Sequence, residues 1–231
     1  PLSMAAAYAA FANGGYYNEP YSVSKVVYRD TGEVWEYKGQ KKRAMSEETA
    51  YMVADMLIDS GQYGLSRWSN INGAQYGAKS GTSNYDAAKI KDMGYPSNAV
   101  NDLWITGINA EYAISLWYGY KEAIPEYTST TNTTAHRRLF QQVAQGFWQA
   151  GVTFTKSDGV VEVEIETETY PAQLASENTP EDKKITELFK KGTEPTETSK
   201  RFAAPDDVKA VDATFENGVM TLSWDAVATP W

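Results

Sequence analysis

The chain has 231 residues, 30 acidic against 21 basic side chains for a net charge of −9, no Cys and one His, with 13% aromatic residues. That length holds one full domain, or one with a partial neighbour, and no basic block is present to track a nucleic-acid backbone, so nucleic acid is excluded as a partner. Thiolate nucleophiles, iron–sulfur clusters and ordinary zinc sites lack their ligands, and no cofactor or metal is expected.

Along the chain, Leu2, Met4, Ala5, Tyr8, Ala9, Phe11 and Ala12 recur at near-helical spacing and Gly14-Gly15 supply a stop, which predicts a buried helix over 2–13. The start, Pro1-Leu2-Ser3-Met4, enters that helix with no signal peptide and reads as a piece of a longer polypeptide. Residues 23–28 and 33–37 flank the polar turn Arg29-Asp30-Thr31-Gly32 and predict a β-hairpin. A second helix begins with Ser46 as N-cap and Glu47 and Glu48 in its first turn; it is expected to bury Tyr51, Met52, Met56 and Leu57 and to stop at Gly61.

Three strand patterns follow, 75–83, 102–109 and 113–120, and predict an antiparallel meander. Apolar groups on both faces of the last two (Leu103, Trp104, Ile105; Ile114, Leu116, Trp117, Tyr118) require covering helices on both sides. One cover is a helix over 134–150 with Leu139, Phe140, Val143, Ala144, Phe147 and Trp148 in one stripe and Gly151 at its end. The fold class is therefore α+β, an antiparallel sheet covered by helices on both faces, incomplete, with a β-rich C-terminal tail. Residues 160–169 alternate Val161, Val163, Ile165 with Glu162, Glu164, Glu166 as a half-exposed strand whose acidic face is solvated. Residues 175–204 read as a polar linker interrupted by Ile185, Leu188 and Phe189. From Pro205 a new β pattern begins and is cut off after Leu222-Ser223-Trp224. The division expected is 1–155, 156–204 and 205–231.

Between Arg67 and Asp86 one charged residue occurs, Lys79, within Gly77-Ala78-Lys79-Ser80-Gly81-Thr82-Ser83-Asn84. A surface lysine on an edge strand would need no function. The combination suggests more. An ammonium and two hydroxyls suit a substrate carboxylate, and Gly81 leaves room for a peptide lying along the strand and adding to the sheet edge. The Thr82 amide, if it faces the cleft, can polarise a reacting carbonyl.

Lys79-Ser80-Gly81-Thr82 resembles the Lys-(Thr/Ser)-Gly box of the penicillin-recognising serine acyltransferases, with Ser80 in place of the commoner Thr. Residues 1–15, Asp102-Leu103-Trp104-Ile105-Thr106-Gly107 and Trp117-Tyr118-Gly119-Tyr120 resemble the helix before that box and the strands after it in high-molecular-weight penicillin-binding proteins. Phe189-Lys190-Lys191-Gly192-Thr193-Glu194-Pro195 resembles the tail of the bifunctional, class A members. The resemblance implies a β-lactamase/transpeptidase-like fold over residues 1–197 and a D,D-transpeptidase that cross-links peptidoglycan stem peptides through a serine acyl-enzyme, attached in the full protein to a glycosyltransferase. It further implies catalytic roles for Lys79 and Thr82 and a substrate-binding strand of Lys79, Ser80, Gly81, Thr82, Ser83 and Asn84.

Its expected partners are stem peptides, β-lactams and an upstream segment of the same protein carrying Ser-x-x-Lys and Ser-x-Asn, at the extracytoplasmic face of a bacterial membrane with the anchor in a missing N-terminal segment. Neither upstream box is supplied here. Ser22-Val23-Ser24-Lys25 lies in a strand pattern, where residues three apart point to opposite faces. Ser176-Glu177-Asn178 follows the Lys box, in the wrong order. His136 lacks an acid neighbour and reads as solvent-facing or capping. The alternative is a secreted cell-wall binding or adhesion module, with 205–231 as the opening of a fibronectin type III-like sandwich. A serine β-lactamase is a nearer rival, disfavoured by the tail and acidic linker.

Overall fold

The computed structural model describes residues 1–64, 71–203 and 207–226. Two compact units result, Pro1–Gly159 and a second that begins at Val160. Arg67, Pro205 and the terminal residues 227–231 lie outside the described residues.

In the first unit, helix α1 (Leu2–Ala12) is followed by a two-stranded ribbon of β1 (Tyr16–Asn18) and β4 (Lys41–Arg43). Between these lies the expected hairpin, β2 (Lys25–Val27) with β3 (Val34–Glu36). The β1–β4 ribbon was not legible in the sequence, because three-residue strands carry no periodicity; Lys41 and Arg43 hold it by stacking on the Tyr16 ring, each 4.0 Å from its centroid. Helix α1 buries Ala6 and Ala10, while Leu2 and Met4, expected inside, are exposed.

Helix α2 (Glu47–Tyr63) has the predicted cap, with the Ser46 hydroxyl accepting the Thr49 amide at 3.2 Å. Its buried stripe is Ala50, Ala54, Leu57, Ile58 and Gly61, not Met56, which is exposed, and the helix ends at Gly64 rather than Gly61. The reason is close packing of α2 on the sheet. A Cβ at Gly61 would lie 3.1 Å from Tyr76 Cε2, and one at Gly77 would lie 2.7 Å from Leu57 Cβ. Gly61 therefore serves contact, not termination.

The meander is present as β5 (Gly77–Asn84), β6 (Ala99–Ile108) and β7 (Ala113–Gly119), in that sheet order, with β8 (Ser129–Thr130) pairing the start of β6. A short helix α3 (Ala87–Met93), not foreseen, joins β5 to β6; Asp86 caps it by accepting the Lys89 amide at 2.7 Å. Helix α4 (Ala135–Phe147) buries His136, Phe140 and Ala144, one residue per turn, while Leu139 and Phe147 face solvent. Trp148 is fully buried but extended, one residue past the helix. The sheet is covered on both faces. Ile105 packs with Phe140, Ala144 and Trp148 on one side, and Ile108 packs with Tyr8, Phe11 and Leu57 on the other.

In the second unit, β9 (Val160–Glu166) pairs with β10 (Lys184–Lys190) over seven residue pairs. Residues read as linker thus include a strand. The cross-strand pairs Ile185 with Ile165 and Phe189 with Val161 supply the apolar contact that the charged composition concealed. Glu166, expected on the solvated face, is 1% exposed; Thr179 donates to its Oε2 at 2.9 Å and Arg201 Nη1 lies 3.8 Å from its Oε1. A later hairpin, β11 (Asp212–Glu216) with β12 (Val219–Ser223), is exposed throughout. No helix among the described residues is long and apolar enough to cross a membrane.

Candidate active site

Strand β5 pairs with β6 on one side only among the described strands and so forms an edge of the sheet. Its register sets Lys79 opposite Thr106, Ser80 opposite Ile105, Gly81 opposite Trp104, Thr82 opposite Leu103 and Ser83 opposite Asp102. Directly paired residues share a face. Lys79 and Gly81 therefore stand with Thr106 and Trp104 on the face that α1 covers, while Ser80 and Thr82 alternate to the other. A cavity of about 200 Å3 opens there, lined by Met4, Tyr8, Lys79, Ser80, Gly81, Trp104 and Thr106.

Three of the sequence-predicted residues, Lys79, Ser80 and Gly81, thus share one groove. Lys79 is exposed, and its Nζ donates to the Ser80 carbonyl at 3.0 Å. Among the described residues no carboxylate pairs with it, which leaves the ammonium free to meet an anion from outside. A Cβ added at Gly81 would meet only Trp104 Cβ, at 3.4 Å. Packing within the chain does not demand glycine at this position, so what the missing side chain provides is an unobstructed strand edge. Thr82, Ser83 and Asn84 are exposed and lie outside the groove lining, and the register shifts between Ser83 and Asn84.

Ser83 has a second task. Its hydroxyl donates to Asp102 Oδ2 at 2.5 Å, Asn101 Nδ2 donates to the same oxygen at 2.8 Å, and Trp117 Nε1 donates to Oδ1 at 2.7 Å. One carboxylate on β6 thereby ties β5 to β7 just beyond the groove. Three donors favour its charged form. The Ser83 bond above all, with the Trp117 and Asn101 bonds, holds the Asp102 carboxyl below its ordinary 3.8, although partial burial opposes them. Because the folded value is depressed, this stabilisation is present above the ordinary Asp range and is lost as pH falls through the folded value. Asp102→Asn is accordingly expected to lower Tm at pH 7, with the gap to wild type closing below about pH 4; a pH series of thermal melts checks this, and a gap constant down to pH 2 contradicts it.

Sequence reasoning missed Met4, Tyr8, Trp104 and Thr106 as groove residues. The signal was present in part: an antiparallel meander with Lys79 opposite Thr106 brings Trp104 opposite Gly81, but the length of the connection between β5 and β6 hid the register. The outcome for His136 is also different from expectation. It is 3% exposed on the inner face of α4, its Nδ1 has no hydrogen-bond partner among the described residues, and burial, then the neighbouring Arg137, push its pKa down. It is a neutral packing residue outside the groove.

The penicillin binding protein transpeptidase domain model matches residues 1–130, and the model for the C-terminal domain of penicillin-binding protein 1A matches residues 156–204. Penicillin-binding protein 1A/1B of Bacillus subtilis (strain 168) is 34% identical over 97% of this chain and 26% of its own length. Penicillin-binding protein 1A of Streptococcus pneumoniae is 35% identical over 62% of this chain and 20% of its own length. The crystal structure of penicillin-binding protein 1A from Haemophilus influenzae shares the fold, with a TM-score of 0.60 at 23% identity over 86% of this chain and 33% of that one. The chain spans about a quarter of the length of the curated relatives it matches.

Proposed function

Since the chain belongs to the penicillin-binding protein transpeptidase family, in its class A branch, we propose that it supplies one wall of the acyl-transfer site of a serine D,D-transpeptidase that cross-links peptidoglycan stem peptides. The observation that carries this reading is the unpaired Lys79 ammonium beside a groove on an open sheet edge. Lys79 raises the positive potential where the terminal carboxylate of a D-Ala-D-Ala stem, or of a β-lactam, is held. The family resemblance assigns the Ser80 and Thr82 hydroxyls to that carboxylate, although they leave β5 on the face opposite Lys79. The peptide lies along β5 as an added strand, and the Thr82 amide stabilises the oxyanion of the tetrahedral intermediate. Ser83 and Asn84 continue the binding strand, with Ser83 oriented by Asp102.

The attacking serine and its lysine base are assigned to an upstream segment of the same polypeptide. Two observations support that assignment. Lys25, the partner Ser22 would need, is exposed on β2 and paired with Glu36 at 3.2 Å, so its ammonium is engaged by a carboxylate rather than placed as a buried base. The chain also covers only 26% of a relative that it matches almost end to end. Residues 1–155 are assigned to the transpeptidase domain and 156–204 to the family's C-terminal unit. For 205–231 the exposed β11–β12 hairpin, with Phe215, Met220 and Leu222 uncovered, fits the opening of a fibronectin type III-like sandwich. The working compartment is the extracytoplasmic face of the bacterial membrane, with a glycosyltransferase domain in the same protein.

The test is covalent labelling. A fluorescent penicillin, followed by a denaturing gel, is expected to leave this chain unlabelled when alone. When the chain is mixed with its separately produced upstream segment, the label is expected on that segment. Label on this chain itself would mean that the nucleophile lies within it.

A further inference from the structure

We propose that the second unit carries a binding groove for a neutral oligosaccharide, with the Tyr170 ring as its platform. A groove of about 820 Å3 lies wholly within that unit, and Tyr170, Gln173, Glu197, Thr198, Lys200 and Arg201 are among its lining. Its size falls within the range of about 300–1,000 Å3 usual for small-ligand clefts.

The groove is built rather than incidental. Its two walls are laced by main-chain bonds, the Leu174 amide donating to the Glu197 carbonyl and the Ser199 amide to the Leu174 carbonyl, both at 2.9 Å. Thr169 Oγ1 donates to the Glu166 carbonyl at 3.0 Å and accepts the Gln173 amide at 3.1 Å, which holds the loop under Tyr170. Arg201 is clamped from below, donating to the Thr167 carbonyl at 3.2 Å and to Glu168 Oε2 at 3.0 Å, with the buried Glu166 carboxylate 3.8 Å away.

Above that fixed floor the lining side chains are free. Gln173, Glu197, Thr198 and Lys200 form no side-chain hydrogen bond with another described residue, although together they offer amide, carboxylate, hydroxyl and ammonium groups. A lone exposed ring is ordinary on a protein surface. Tyr170, however, is completely exposed and lines this groove, where a flat ring can take the C–H face of a pyranose while the free groups bond its hydroxyl and acetamido substituents.

Charge decides the ligand class. Arg201 and Lys183 are matched by Glu166 and Glu168, and Lys200 is offset by Glu197, so the charges in and under the groove balance and leave no net field to attract a phosphate polymer or an acidic peptide. A neutral saccharide suits it best.

The choice of an N-acetylated probe rests on the cell-wall function proposed above; the groove itself does not. The 231-residue chain is titrated with the tetrasaccharide of β-1,4-linked N-acetylglucosamine, followed by calorimetry and by saturation-transfer NMR on the sugar. Saturable binding is expected, with Tyr170→Ala weakening it by about tenfold, Tyr170→Phe restoring it, and Gln173→Ala or Thr198→Ala each weakening it severalfold. Lys79→Ala is expected to leave sugar binding unchanged. Failure of sugar binding while penicillin still labels the complete polypeptide would end this inference and leave the transpeptidase reading standing. Equal affinity in Tyr170→Ala, or preference of the groove for a D-alanyl peptide over the sugar, would overturn it as well.

Discussion

Lys79→Ala, made in the complete polypeptide, is expected to slow acylation by a fluorescent penicillin by about 10²- to 10³-fold while leaving the melting temperature unchanged. The magnitude follows from Coulomb's law. A unit charge about 4 Å from a carboxylate, at an effective dielectric near 20, contributes on the order of 4 kcal/mol, or roughly a thousandfold, and solvent at the exposed groove reduces it. The unchanged stability follows from the structure: Lys79 is exposed, and among the described residues its side chain bonds the carbonyl of its own neighbour Ser80. Lys79→Arg keeps the charge but replaces a compact ammonium by a planar fork, so partial activity is expected there. A normal acylation rate in Lys79→Ala would remove this residue from the site.

Trp148→Ala is expected to lower the unfolding free energy of the chain by about 3–5 kcal/mol, the usual effect of emptying a fully buried indole position. Trp148 is 0% exposed, stacks 5.2 Å from Tyr76 and meets Phe140 edge-on at 5.5 Å, and so joins α4 to the sheet. Such a loss is a large share of the roughly 5–15 kcal/mol that stabilises a domain. The same contact can be probed from the opposite side. A methyl at Gly107 would lie 2.5 Å from Phe140 Cζ and 2.9 Å from Trp148 Cη2, so Gly107→Ala overpacks the junction and is expected to cost about 1–3 kcal/mol. In Gly107→Ala/Trp148→Ala one of the two clashes is gone, and the double variant should lose less than the sum of the singles. Urea unfolding of the four proteins measures this; strictly additive losses would mean that Gly107 and Trp148 do not share the contact.

Much of the fold could be read before any coordinates. The caps and the meander are local signals: Ser46 followed by two glutamates, and apolar runs separated by a turn, act within a few residues of themselves. The Lys79 box was found because a single cation in an uncharged stretch is an anomaly of composition as well as a family pattern. What failed was long-range. Leu139 and Phe147 joined a helical stripe on paper, but the sheet contacts one narrow face of α4, and that face is His136, Phe140 and Ala144. The charged 175–204 segment concealed a strand because its apolar contacts with β9 come from residues twenty or more positions away.

The amino-acid order by itself therefore determined the chemistry available: an ammonium, two hydroxyls and a bare glycine in consecutive positions, no thiol, and one imidazole. Tertiary structure decided which of these groups meet. Only the antiparallel pairing of β5 with β6 sets Lys79 and Gly81 beside Thr106 and Trp104, brings Met4 and Tyr8 over them, and commits Ser83 to Asp102. The physical reason is that side-chain identity is carried by each residue alone, whereas a groove and a carboxylate bridging two strands depend on register, and register is set by burial summed over strands and helices far apart in the chain.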